Sequence, residues 1–150
     1  MAERIEMAQQ AKTIPILIVD DDQVSVMAIK RAMKQMNLSN PLRVASDGLQ
    51  ALEILRGEAG LAQLAPPYIV LLDINMPRMN GHEFLGEIRN DPKLNRALVF
   101  VLTTSDAPED IARAYDRNIA GYIIKDDILT PFNRTLEVVD LYARVIVFPN

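Results

Sequence analysis

Short apolar runs that stop abruptly at polar residues, each followed by a stretch with helical spacing, constrain this chain more than any other feature. Residues 14–19 (IPILIV) run into Asp20, Asp21 and Asp22, residues 68–72 (YIVLL) into Asp73, residues 98–102 (LVFVL) into Thr103, and Gly121–Ile124 into Lys125. Runs this short and continuously apolar read as strands buried on both faces. Leu42–Ala45 supplies a further strand after the first helical stretch. Val26, Ile29, Met33 and Met36 recur at spacings of three and four, which makes one apolar helical stripe, with Met27 also read as a core residue. Shorter stripes follow: Leu49, Leu52 and Leu55; Phe84, Leu85 and Ile88; Ile111, Ala114 and Tyr115. Asp106 is expected to cap the helix at Pro108, with Glu109 completing a capping box. A last helix opens at Thr130 and Pro131 and runs to about Val147.

Five strand–helix units in alternation imply an α/β fold, a parallel sheet with helices on both faces. Right-handed crossovers bring the carboxyl ends of all strands to one edge, where such sheets place their ligands. A length of 150 residues suits one domain. We read residues 1–12 as a polar N-terminal extension and 13–150 as the domain. The chain has no cysteine, so disulfides and thiolate metal sites are excluded. A net charge of −4 argues against a broad nucleic-acid-binding face. There is no visible signal peptide and no run near the ~18 apolar residues of a membrane span, so a cytoplasmic protein without membrane contact is expected.

The strand ends share one chemical theme. Clustered carboxylates repel unless a cation sits among them, and oxygen donors without His or Cys favour Mg²⁺. A carboxylate can be phosphorylated as a nucleophile. A lysine and a hydroxyl supply the positive charge and donors that a transferring phosphoryl group needs. The combination reads as phosphoryl chemistry.

With the segments ILIVDDD (16–22), LLDINMPRMNG (71–81), VLTTSD (101–106) and GYIIK (121–125), the chain resembles the response-regulator receiver family over nearly its whole length. The resemblance implies a three-layer (βα)5 flavodoxin-like doubly wound sheet in strand order 2-1-3-4-5. It implies that Asp73 accepts a phosphoryl group from a sensor histidine kinase. Mg²⁺ would be held by Asp21, by Asp73, by the backbone carbonyl of Asn75, and by Asp20 through water. Lys125 and Thr103 would contact the phosphoryl oxygens, and Thr103 and Tyr122 would form the switch. Such a protein is a phosphoacceptor rather than an enzyme. The long stretch 57–67 before the third strand is similar to insertions in receivers that pair with bacterial and cyanobacterial phytochromes, so a phytochrome kinase is one candidate partner.

The family usually has proline after its lysine, where this chain has Asp126 and Asp127. A non-proline cis bond costs about 3 kcal/mol, so a trans bond and an altered loop are expected there. His82, the sole histidine, reads as an exposed first-turn residue. The last helix carries two apolar stripes, one through Leu136, Val139, Ala143 and Ile146, the other through Val138, Leu141, Tyr142 and Val145. One stripe suffices for a core, so the surplus predicts a homodimer through this helix and its neighbours. The chain ends with that helix, which sets the expectation of a stand-alone receiver signalling through protein contacts.

The main competitor is a haloacid-dehalogenase-type phosphatase using Asp20 and Asp22 in an Asp-x-Asp signature. It leaves Asp73 and LLDINMPRMNG unexplained. A pseudo-receiver is disfavoured by the complete acidic, threonine and lysine set. A dinucleotide-binding module is disfavoured because no glycine-rich loop follows the first strand.

Overall fold

The computed structural model describes residues 14–125. The expected N-terminal extension, Asp126 and Asp127, and the last helix with its dimer face lie outside the described residues. Strands β1 (Ile16–Val19), β2 (Leu42–Ala45), β3 (Ile69–Leu72), β4 (Leu98–Thr103) and β5 (Gly121–Ile124) alternate with helices α1 (Gln23–Gln35), α2 (Gly48–Arg56), α3 (Gly81–Asn90) and α4 (Pro108–Asp116). All neighbouring strands pair in parallel, in the expected order β2-β1-β3-β4-β5.

The two-residue period of each strand divides the core in two. Ile16, Ile18, Ile69, Leu71, Phe100 and Leu102 face α1 and its Val26, Ile29, Ala32 and Met33. Leu17, Val19, Val70, Leu72, Val99 and Val101 face the other way, against Leu52 and Leu55 of α2, Phe84, Leu85 and Ile88 of α3 and Ala114 of α4. Both faces of β1, β3 and β4 are therefore covered, as their continuous apolar runs require.

Three stripe assignments need correction. Met27 is 60% exposed, Leu49 40% and Tyr115 50%. Each lies off the inward face, which Ala32, Ala51 with Ile54, and Ala114 respectively help to form. Small residues thus mark the inner face where the helices approach the sheet. The capping box expected at Asp106 and Glu109 is also absent. The N-cap of α4 is Ala107, without a side-chain bond. The Ser105 hydroxyl serves this turn instead, donating to Asp110 at 2.5 Å and accepting from the Ala107 amide at 3.4 Å.

At the edge opposite the acidic strand ends, Arg89 closes the loops around β4. Its guanidinium donates to the carbonyls of Arg117 (2.7 Å), Asn95 (3.0 Å), Ala97 (2.8 Å) and Asn118 (3.1 Å). Arg89→Met keeps the apolar stem but strands these acceptors. It should lower the unfolding free energy by roughly 2–3 kcal/mol, read as a reduced urea midpoint with an unchanged slope.

Candidate functional site

Asp20, Asp21 and Asp73 meet where β1 and β3 lie side by side. Val19 and Leu72 are register partners, so the residues following them emerge together at the carboxyl edge. One carboxylate oxygen from each of the three lies within 4.8 Å of the others. Asp20 and Asp73 are buried, at 4% and 9% exposure, whereas Asp21 is exposed. Two buried carboxylates and one open to solvent form an oxygen-only donor set of the kind Mg²⁺ accepts, with room for water on the exposed side. Asp22 points elsewhere. It is the N-cap of α1, accepting from the Val24 amide at 3.0 Å and the Ser25 hydroxyl at 3.1 Å. That cap accounts for the second acid of the Asp-x-Asp pattern without a phosphatase.

Lys125 follows β5 and crosses the edge to this cluster. Its ammonium donates to Asp20 Oδ2 at 2.6 Å and to the Ser25 hydroxyl at 3.2 Å, and lies 3.9 Å from Asp73 Oδ2. The lysine side chain is 7% exposed and that of Asp20 3%, so the ion pair is removed from water. Burial pushes the Asp20 carboxyl above its ordinary range. The hydrogen bond from Lys125 and that from the Asp22 amide (2.9 Å) oppose the shift, and the charge on Asp73 adds to it. The cluster thus carries unfavourable negative charge that a second cation would relieve. The Lys125 amide also donates to the Thr103 carbonyl at 2.7 Å, tying the lysine to the end of β4.

Thr103 is fully buried, and its hydroxyl oxygen accepts from the Ser105 amide at 3.4 Å. Thr104 beside it is exposed. Tyr122, half-buried against the core, donates its hydroxyl to the Ser105 carbonyl at 2.8 Å. Asn75 is an exposed residue of the loop between β3 and α3.

That loop is held at its far end and in its middle by contacts that leave no local trace in the sequence. At its far end Gly81 donates its amide to the Ile74 carbonyl at 2.8 Å. A Cβ here would collide with the Asp73 carbonyl oxygen and approach Ile74 Cα to 2.8 Å, so glycine lets α3 start this close to Asp73. The capping box of Asn80 and Glu83 starts the helix at that point. In mid-loop Arg78 adopts a left-handed φ of 63° and donates to Asp47 at 2.6 Å. Asp47 also caps α2 through the Gln50 amide at 2.9 Å. Burial raises its carboxyl, but the Arg78 and Gln50 bonds outweigh that and hold it below the usual range. The adjacent Gly48 amide donates to the Met79 carbonyl at 3.0 Å. The signal for Asp47 was present in the sequence, an acid directly before a helical stripe like Asp22. Its partner, thirty-one positions away, was not.

His82 contradicts its expected exposure. It is 7% exposed, with Nε2 2.8 Å from Asp110 Oδ1. The first turn of α3 faces α4 rather than solvent, which its polar neighbours in sequence concealed.

Comparison with known proteins agrees with this architecture. Residues 16–130 match the response regulator receiver domain, and the chain belongs to that family, whose members act in two-component signalling. A probable methanogenesis regulatory protein, FilR2 of Methanothrix harundinacea, is 35% identical over 127 residues, covering 85% of this chain and 81% of its own. Response regulator Rcp1 of Synechocystis is 32% identical over 110 residues, covering 73% and 75%. Among solved structures, the phosphorylated cyanobacterial phytochrome response regulator RcpA superposes with a TM-score of 0.82 at 30% identity, covering 91% of this chain and 99% of its own. The Mn²⁺-bound form of Rcp1 superposes at 0.81 with 27% identity, covering 91% and 99%. Among the described residues no helix is long and apolar enough to cross a membrane.

Lys125→Met leaves the buried Asp20 carboxylate unpaired and should cost about 3 kcal/mol of stability in divalent-free buffer. Gly81→Ala forces the Asp73 carbonyl to move and should cost about 1–3 kcal/mol. Thermal or urea unfolding of the two variants checks both.

Proposed function

We propose that the chain is a phosphoacceptor of a histidine kinase phosphorelay, with Asp73 as the acceptor and Mg²⁺ as its cofactor. The observation that carries this reading is the junction of Asp20, Asp21 and Asp73 within 4.8 Å, with the Lys125 ammonium 3.9 Å from Asp73. Asp21 and Asp73 would hold the metal directly, the Asn75 carbonyl would complete the protein ligands, and Asp20 would act through water. When bound, Mg²⁺ supplies positive charge to the phosphoryl oxygens.

One Asp73 carboxylate oxygen attacks the phosphorus of a kinase phosphohistidine. The P–O bond forms as the P–N bond breaks, and its electron pair returns to the imidazole. Lys125 is placed to stabilise the equatorial oxygens as charge shifts onto the new acyl phosphate. The Thr103 hydroxyl is then drawn to the phosphoryl group, and Tyr122 follows through the loop they share at Ser105, which alters the surface around α4 and β5. Hydrolysis of the acyl phosphate resets the switch. Output runs through protein contacts, with the domain extending over residues 13–150 and a homodimer formed through the last helix.

A partner surface lies beside the site. Val24 is 75% exposed and Met27 60%, both on α1 next to Ser25, which contacts Lys125. Exposed apolar side chains flanking a charged centre suit the docking of a kinase helix. The resemblance to phytochrome response regulators supports a phytochrome as that kinase.

Asp73→Asn should abolish labelling by acetyl phosphate plus Mg²⁺, and full labelling of this variant would refute the assignment. Asp21→Asn should remove the rise in melting temperature that Mg²⁺ gives the wild type. Val24→Glu should slow transfer from a phosphorylated kinase at least tenfold while leaving acetyl phosphate labelling intact, a loss of about 1.4 kcal/mol confined to docking.

A further inference from the structure

The histidine that the sequence places on the surface is buried between α3 and α4, and the phosphorelay reading gives it no task. Among the described residues its Nδ1 is buried without a hydrogen-bond partner. A buried polar atom left unpaired costs about 1–3 kcal/mol, and an aliphatic side chain would fill this position without that cost. What the imidazole gains in return is one bond. A carboxylate faces Nε2, so Nε2 carries the proton and donates to Asp110 at 2.8 Å.

The bond continues into the switch. The second oxygen of Asp110 accepts the Ser105 hydroxyl at 2.5 Å. These two contacts, Ser105 first and His82 second, hold the Asp110 carboxyl below its ordinary range, so it stays an acceptor on both sides. Ser105 in turn presents its amide to Thr103 Oγ1 at 3.4 Å and its carbonyl to the Tyr122 hydroxyl at 2.8 Å. At the other end of the chain of contacts, His82 follows Gly81, the glycine packed against the Asp73 carbonyl. One run of bonds therefore joins the end of the acceptor loop to both switch residues.

We propose that His82 is a positioning residue for the switch: through Asp110 and Ser105 it fixes the β4–α4 loop so that the Ser105 carbonyl receives the Tyr122 hydroxyl. The proposal rests on the phosphoacceptor reading and adds to it a residue on α3 that stabilises the Tyr122–Ser105 hydrogen bond. Without the His82 donor, Asp110 loses its fixed orientation, Ser105 loses its anchor, and the Tyr122 bond to the Ser105 carbonyl is less favoured.

The test uses the whole chain with Mg²⁺ and beryllium fluoride as the phosphoryl mimic, following affinity by titration and the Tyr122 ring by NMR. His82→Leu should weaken mimic binding about fivefold, the scale of one positioned hydrogen bond, and shift the Tyr122 resonances in the mimic-bound state. His82→Gln, which keeps a donor, should restore both. Ser105→Ala should weaken binding similarly, and the double variant Ser105→Ala with His82→Leu should be no weaker than either alone, because both break the same chain. Equal affinity of His82→Leu and wild type, equal loss in His82→Leu and His82→Gln, or additive losses in the double variant would each overturn the proposal. Wild-type binding that is lost in Asp73→Asn keeps the phosphoacceptor reading intact whatever the His82 variants do. Absence of wild-type binding would remove that reading and this proposal with it.

Discussion

The buried pair between Lys125 and Asp20 is the interaction on which the carboxyl edge of this sheet depends. In strand order 2-1-3-4-5, β1 and β5 are separated by β3 and β4, so the ammonium that follows β5 must reach across two strand ends to the acid that follows β1. It does so at 2.6 Å, almost wholly out of water. The pair is not a source of net stability on its own, since desolvating two charges offsets most of their attraction. Its value is to make three converging carboxylates tolerable. Desolvation still leaves Asp20 with a raised carboxyl, which means the folded site holds a proton more readily than the unfolded chain. Stability contributed by that group is present at low pH and declines as pH rises above the ordinary carboxylate range. A site destabilised by its own charge is one that binds cations well.

Around this charge cluster the loop bearing Asp73 has almost no freedom. Gly81 brings the α3 backbone against the Asp73 carbonyl, Asn80 and Glu83 lock the helix start, and Arg78 and Met79 are bonded to Asp47 and Gly48 at the start of α2. Four consecutive residues of this loop, 78–81, are thus fixed by two different helices. Such bracing fixes the Asp73 carboxylate relative to its neighbours, and the proposed phosphoryl transfer would draw on that preorganisation.

The acids, Thr103 and Lys125 were legible because a strand buried on both faces ends visibly, and the residue types found there carry their own chemistry. The parallel sheet followed from the same runs, and its order from the family resemblance that their flanking motifs carry. Other features depend on contacts between elements distant in the chain and left no local trace. His82 lies among polar neighbours, and nothing near it announces Asp110, twenty-eight positions on. Met27 looked inward because methionine is usually a core residue, yet Ala32 rather than a larger side chain completes that face of α1. Asp106 looked like a cap because its type and spacing fit, but the Ser105 hydroxyl reaches Asp110 first and takes over the turn.

The two sides of the site are consequently built in different ways, and the difference suits the proposed switch. The Asp73 side is held by close backbone packing, by a glycine whose replacement would displace the Asp73 carbonyl, and by helix caps. Such contacts are steep, and small displacements cost a great deal. The β4–α4 loop carries no capping side chain at Ala107 and is held by a few hydrogen bonds, from Ser105 to Asp110, from His82 to Asp110 and from Tyr122 to Ser105. Each is worth about 1 kcal/mol net and can be exchanged for another of similar strength. A local charge on the rigid side can therefore repopulate arrangements on the soft side without disturbing its own geometry, and the few bonds that hold the soft side determine how far the equilibrium lies from either state.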